Sequence, residues 1–222
     1  MSLERALEIA NQTPIERHQE ILPLDQATDR ILFDDLISLV DDPRFDNSAM
    51  DGWAVREADC QETGAVLRIV GTSQAGSAEV PLVGEGEACS IMTGAPIPEG
   101  ADAIVMIEDS TTHDGSVTIN GPARPGFIRK RGENLTEGER PLRSGNILTP
   151  SAISLAATMG HDTVSVVRPP SIAVIGVGDE LTPPGEPLSE NSIYESNTFG
   201  ISSLVKKMGG TPLRSELIRD SI

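Results

Sequence analysis

A chain of 222 residues with 17 basic and 34 acidic side chains carries a formal charge of −17. That charge excludes nucleic acid as a partner, because a phosphate backbone needs a basic footprint. No apolar run reaches the roughly 18 residues of a membrane span, and the N-terminus lacks a signal peptide's apolar stretch. The two cysteines, Cys60 and Cys89, have neither CxxC nor metal spacing, so a reduced, cytoplasmic setting is expected. Only three of the basic residues are lysines; such acidity suits a salty cytoplasm without any functional role for the charge.

The first element is an amphipathic helix over 2–12. Ser2 can cap it, Leu3, Ala6, Leu7 and Ala10 fall on one face, and Pro14 closes it. The stretch EILPLDQATDRILFDDLISLV then predicts a short strand, a helical turn around Asp25 to Leu32, and another strand. From about residue 43 the texture changes. Apolar runs such as AVLRIV, EACSIM, ADAIVMIE and SVTI are separated by Gly, Pro and Asp clusters, which predicts a small all-β domain. Residues 149–160 carry a helix signature, with Thr149 as N-cap, Pro150 at the first position and Gly160 past the end. TVSVVRP reads as an edge strand running into the linker Pro169-Pro170. SIAVIGVGDEL has the apolar run of a buried parallel strand. A helix capped by Asn197 follows, with Ile201, Leu204, Val205 and Met208 on one face, and TPLRSEL is the next strand. This β-α-β order opens a doubly wound α/β domain. One such unit cannot bury both sheet faces, so the chain is expected to stop within a domain.

Four polar stretches interrupt this pattern. In FDNSAMDGWAV, the Asp51-Gly52 pair signals a turn, since Gly accepts positive φ; it either leads into a strand that packs Trp53 or holds a carboxylate at a site. Thr93-Gly94-Ala95 makes a bend whose hydroxyl and backbone N–H groups suit an oxyanion, or a plain β-turn. FIRKRGENLTEGER sets Arg129, Lys130 and Arg131 in a row near Arg140 and Arg143, a patch for a small anion or a solvated basic turn. GVGDEL lies at the C-terminal end of a parallel strand, where Asp179 and Glu180 would face the crevice in which α/β proteins bind ligands, or would form a solvated turn. Gly-Val-Gly lacks the third glycine of a dinucleotide fingerprint, and there is no phosphate-loop Lys. His18, His113 and His161 share no metal spacing, so neither a zinc site nor a Ser-His-Asp triad has support.

Taken in order, DNSAMDGWAVR, IMTGAPIPEGADAIVM, RKRGENL and GVGDEL, followed by IYESN, closely resemble the molybdopterin molybdenumtransferase family, MoeA in bacteria and the E domain of gephyrin in animals. The resemblance implies ligation of molybdate to adenylylated molybdopterin with release of AMP, assisted by Mg²⁺, in an elongated homodimer served by an upstream molybdopterin-adenylyltransferase. It implies a multidomain α+β and α/β fold: an N-terminal helix at 1–18 that packs on the α/β domain, a discontinuous scaffold and dimer domain at 19–42 and 139–168, an inserted all-β domain at 43–138, and the truncated start of a molybdopterin-binding α/β domain at 169–222. Carried over by motif, Asp51, Thr93 and Glu180 would be catalytic. Asn134, Asp179 and Arg131 would bind substrate, and Asp51 and Glu180 would hold Mg²⁺, which favours carboxylate oxygens. The exposed strands expected around Ile31 to Val40 would serve the dimer.

The chain departs from the family at two points. Asn134 stands where the family commonly has Asp, and Glu195-Ser196-Asn197 stands for DSN. The family's second α/β half and C-terminal domain are absent, so the chain is expected to be about the first half of such an enzyme and inactive alone. A different class of function also fits: a non-catalytic dimeric binding or scaffold module derived from the same family.

Overall fold

A computed structural model describes residues 2–14, 16–77, 79–214 and 217–220. The chain forms two compact units, one of residues 1–20 with 166–222 and the other of residues 21–165.

The larger unit is built on a six-stranded mixed sheet. Its strands are β3 (Gly52–Val55), β4 (Ala65–Ser73), β5 (Glu87–Ile91), β6 (Ala103–Met106), β7 (Ser110–His113) and β8 (Ser116–Ile119), in the order β6-β3-β5-β4-β8-β7. All neighbours are antiparallel except β4 with β5. The expected short strands are therefore present, and alternation along them separates two apolar clusters. Trp53, Val55, Leu67, Ala88, Val105, Val117 and Ile119 pack on one side; Ala54, Cys89, Ile91, Ala95 and Ile104 pack on the other. Trp53 is 4% exposed, and its indole N–H donates to Ser110 Oγ at 2.9 Å. That bond satisfies the one polar atom the ring buries.

Asp51-Gly52 departs from the expected turn. Gly52 does not adopt positive φ; it already belongs to β3, paired with Ile91 and Met106. Glycine is needed there for another reason: a Cβ at position 52 would stand 1.9 Å from the Val105 carbonyl oxygen.

Around the sheet, segments distant in sequence are tied by backbone bonds. β2 (Asn47–Ser48) pairs antiparallel with β9 (Ile128–Arg129). Leu24, Leu32 and Leu36 donate to Asp162, Asn146 and Leu142 at 2.9, 2.9 and 2.8 Å, and β1 (Gln19–Pro23) pairs with β10 (Thr163–Val167). The helix α2 (Pro150–Thr158) begins as expected, with Thr149 accepting from the Ala152 N–H, and Gly160 takes φ +94° beyond its end. Two expectations fail in this region. The helical turn at 25–32 is only a short 3₁₀ turn over Leu24–Gln26, because Asp29 has φ +62° and cannot continue it. The strand after it reduces to isolated bridges, Ile31 with Ile147 and Leu36 with Leu142. Ile31, Ile37, Leu39 and Ile147 are exposed there.

In the smaller unit, β11 (Ser171–Val174), α3 (Asn197–Lys207) and β14 (Thr211–Arg214) form the expected right-order unit, with β11 and β14 parallel. A short parallel pair, β12 (Leu181–Thr182) with β13 (Ile193–Tyr194), lies between them in sequence. The expected buried strand is a correction: only Val174 of β11 is buried. A single helix covers one face of a two-stranded sheet and leaves Ile172 and Leu213 exposed. β14 ends at Arg214, and the remaining Ser215 and Glu216 of the expected strand lie outside the described residues. The N-terminal helix α1 (Leu3–Gln12) is capped by Ser2, yet none of its residues is buried. Its apolar stripe, with Leu3 and Leu7 exposed, makes none of the burial expected from packing on the α/β part.

Because the obstacle at Gly52 is a carbonyl in an adjacent paired strand, Gly52→Ala forces β3 and β6 apart. It is expected to lower unfolding free energy by about 2 kcal/mol or more. Urea denaturation followed by Trp53 fluorescence measures this, and an unchanged midpoint would refute the packing argument.

Candidate functional site

The first three polar stretches meet within the larger unit. Ser48 N–H donates to the Ala95 carbonyl at 3.0 Å, Gly94 N–H to the Ser48 carbonyl at 2.8 Å, and Ile97 N–H to the Asp46 carbonyl at 3.0 Å. These bonds lay the 93–97 bend along β2, while the β2–β9 pairing brings in the Arg129–Leu135 loop.

Asp51 and Thr93 are joined directly. Asp51 Oδ1 accepts from the Thr93 N–H at 2.7 Å and from its hydroxyl at 2.9 Å. The backbone N–H, then the hydroxyl, hold the Asp51 carboxyl below its usual range, so it stays ionised. Oδ2 takes no hydrogen bond from the described residues, and the carboxylate is exposed. The expected oxyanion bend is a correction. Its N–H groups are spent, Thr93 on Asp51, Gly94 on Ser48 and Ala95 on Met92.

The basic cluster is also internally paired. Arg129 bonds Glu133 at 2.8 Å, Lys130 bonds Asp46 at 2.8 Å, and the Arg131 guanidinium meets Asp41. Asp41 and Asp46 also accept from the Glu137 and Arg131 N–H groups, each at 2.8 Å, and so hold the loop's shape. Asn134 donates its Nδ2 to Asp42 Oδ2 at 2.9 Å, while its N–H donates to the Asp42 carbonyl. An Asp at 134 would set two carboxylates against each other, which accounts for Asn here. Sequence reading named Arg131 and Asn134 but missed Asp41, Asp42 and Asp46. Their signal was an acidic run, DDPRFD, placed opposite a basic one.

In the smaller unit Asp179 and Glu180 do not line the crevice, contrary to expectation. Asp179 Oδ1 accepts from the Asp220 N–H at 3.1 Å. The Glu180 carboxylate folds back over Gly178, with Oε2 2.7 Å from where a Cβ would stand. The crevice itself is a cleft of about 500 Å³, walled by Ile175, Val177, Leu181, Ile193, Tyr194 and Ile201 and floored by the start of α3. Asn197 does not cap that helix, whose N-cap is Ser196 without a side-chain bond. The capping is done by Glu195, which stood out in the sequence only as a departure from the family. Glu195 is 3% exposed, and it accepts from the Thr198 N–H at 2.6 Å and hydroxyl at 2.5 Å. Those bonds, hydroxyl first, hold its carboxyl below the ordinary range.

Among the described residues no group of three or more His, Cys, Asp or Glu side chains could cage a metal ion. A Mg²⁺ ion that keeps water and uses one or two carboxylates asks less, and the ionised, outward Asp51 fits that demand. No helix of the described residues is long and apolar enough to cross a membrane.

Comparison with known proteins places these features. Residues 1–160 match the MoeA N-terminal region (domain I and II). The chain is 39% identical over 199 residues to the molybdopterin molybdenumtransferase of Haemophilus influenzae, covering 89% of this chain and 49% of that one. It is 36% identical over 206 residues to molybdopterin molybdenumtransferase 2 of Mycobacterium tuberculosis, with coverages of 90% and 51%. The chain thus spans about half the length of the curated relatives it matches. Its structure resembles the molybdopterin biosynthesis MoeA protein of Pyrococcus horikoshii, with a TM-score of 0.88 and 33% identity, covering all of this chain and 58% of that one.

The lowered carboxyls of Asp35, Asp41, Asp46, Asp51 and Glu133 fix the sign of one pH effect. A group with a depressed folded-state pKa adds stability above its unfolded value and loses it as pH falls through the folded value. Thermal midpoints should therefore hold from pH 7 down to about 4 and fall below that, where unfolded carboxylates begin to bind protons. A midpoint that stays level to about pH 2.5, beneath the ordinary carboxylate range, would contradict the assigned bonds.

Proposed function

The chain belongs to the MoeA family, and on that premise we propose that it forms the N-terminal part of an enzyme of molybdenum cofactor biosynthesis that ligates molybdate to adenylylated molybdopterin and releases AMP. The observation that carries the reading is the Thr93–Asp51 pair. Two motifs separated by 42 positions converge on one exposed carboxylate oxygen pair, in a chain whose relatives are named molybdopterin molybdenumtransferases. Thr93 grips Oδ1 through two donors and thereby fixes the direction of Oδ2. A carboxylate held by two short bonds loses little further freedom when it meets a ligand.

Asp51 in the larger unit and Glu180 in the smaller are each assigned separately as a carboxylate that would hold Mg²⁺, an ion that when bound would neutralise charge on the substrate's phosphates. Everything else falls to the chain's own groups. Thr93 orients Asp51, and Asp46 and Asp41 keep the 130–137 loop in place through their backbone bonds. Asn134 and Arg131 stay in the reading as substrate contacts; Arg131 would have to exchange Asp41 for substrate. Asp179, bonded to the Asp220 N–H, would hold the GVGDEL loop beside the cleft. The complete enzyme would be a cytoplasmic homodimer receiving its adenylylated substrate from an adenylyltransferase. The exposed Ile31, Ile37, Leu39 and Ile147 supply an apolar surface for the dimer. In this reading residues 43–138 are an insertion into a scaffold made from 19–42 and 139–168.

In the full-length enzyme, Asp51→Asn and Glu180→Gln should each reduce molybdenum insertion at least about tenfold, with thermal midpoints moving by no more than a few degrees. Both substitutions keep side-chain size and remove charge. The measurement is insertion rate with adenylylated molybdopterin under limiting Mg²⁺, alongside thermal unfolding. Wild-type rates in both variants would return these residues to a structural role.

A further inference from the structure

A second cleft of about 500 Å³ opens in the smaller unit, between residues 16–18 on one side and 167–171 on the other. Its two walls are tied together, since the Arg168 N–H donates to the His18 carbonyl at 2.8 Å. The second wall is also tied to the parallel sheet: the Pro170 carbonyl accepts from the Thr211 N–H at 2.8 Å, and Ser171 opens β11. Pro169 and Pro170 have fixed φ and no N–H, so this wall is stiff and presents ring faces rather than amides.

The charge of this cleft runs against the rest of the chain. Arg17, His18 and Arg168 line it with a single acid, Glu16, in a protein of net charge −17. Other arginines are consumed by carboxylates, Arg129 by Glu133, Arg131 by Asp41 and Arg143 by Asp35. Among the described residues, neither the Arg17 nor the Arg168 guanidinium takes part in an ion pair or hydrogen bond. His18 Nε2 stands 3.9 Å from Glu16 Oε2, beyond hydrogen-bond reach, so its ring is also open to a ligand. Two uncommitted guanidinium groups on one cleft are notable where carboxylate acceptors are so abundant.

A guanidinium offers paired N–H donors that match the oxygens of a carboxylate or a phosphate. A carboxylate carries one charge, whereas a phosphate monoester carries about two on a single head group at pH 7 and so balances both arginines. The volume is of the size that holds a small organic molecule rather than a bare ion. Val167, Pro169 and Pro170 give the part away from the charges an apolar lining.

We propose that this cleft binds a phosphate monoester of a small organic molecule, with Arg17, Arg168 and His18 on the phosphate and the organic body against Val167, Pro169 and Pro170. Asp51, Thr93, Arg131, Asn134 and Glu180 contribute nothing to its walls, so the site stands independently of the proposed function.

The test uses the 222-residue chain, with phenyl phosphate as probe and inorganic phosphate and phenol as competitors. Titration calorimetry should give one phenyl phosphate per chain. Inorganic phosphate should bind about tenfold more weakly, because it lacks the apolar body, and phenol, which lacks the charge, should not displace the ester. Arg17 and Arg168 are exposed, so Arg17→Gln and Arg168→Gln remove one guanidinium each and leave the backbone bonds in place. Each should weaken binding by about tenfold. Arg44→Gln removes an equally exposed arginine of the larger unit and should leave binding unchanged. Nuclear magnetic resonance of the unaltered chain should show the His18 ring and the Val167 and Ser171 amides shifting as the ester is added. Circular dichroism checks that the variants are folded.

Absence of phenyl phosphate binding would overturn the proposal. So would equal affinity for inorganic phosphate, displacement by phenol, a loss in Arg44→Gln that matches the cleft variants, or resonance shifts confined to residues 129–135. The insertion assay on Asp51 and Glu180 reads other residues, so failure here is separable from failure of the proposed function.

Discussion

The structure depends on how closely β3 and β6 approach at Gly52. Both neighbours of β3 are paired to it, with Ile91 and Met106 facing Gly52, and the Val105 carbonyl occupies the space a side chain would need. The strand is thereby clamped at its first residue. Pleating then sends Trp53 into one apolar cluster and Ala54 into the other. Asp51, immediately before the clamp, has its carbonyl bonded to the Ile107 N–H and little freedom to place its side chain anywhere but against Thr93. A packing constraint thus becomes a chemical one, since the carboxylate inherits its position from the sheet.

A second theme is the use of carboxylates as backbone partners. Asp35 accepts from Ser144, Asp41 from Glu137, Asp46 from Arg131, Asp51 from Thr93 and Glu195 from Thr198, each through a main-chain N–H. Loops rich in Gly and Pro leave donors that no ladder satisfies, and an unpaired donor is costly wherever water is excluded. An acidic chain has acceptors in abundance. The same residues that make its charge so negative also define its turns.

Much of this was legible in the sequence. The short strands, the Thr149-Pro150 helix start and the β-α-β order follow from local rules, and of the four motifs behind the resemblance the fold brings the first three together within the larger unit. Asp51 with Thr93 is such a case. What escaped was non-local. Nothing near Gly52 announces the Val105 carbonyl, so its glycine looked like a turn signal. The Thr93-Gly94-Ala95 amides looked free because two of their acceptors, Asp51 and Ser48, come from another stretch. Glu195 was hidden by a small offset: the cap was assigned to Asn197, the first polar residue inside the helix, and the acceptor sits two positions earlier.

The acceptor role of these carboxylates has a consequence for ionic strength. At physiological salt, charges more than about 8 Å apart are largely screened from each other. The repulsion summed over a net charge of −17 is of that long-range kind. The bonds from Asp35, Asp41, Asp46, Asp51 and Glu195 to main-chain N–H groups act at contact distance and are scarcely screened. Added salt therefore weakens the term that pushes the chain apart, together with the exposed ion pairs that Asp35, Asp41 and Asp46 make with Arg143, Arg131 and Lys130, while the contact bonds to main-chain N–H groups keep the loops in shape.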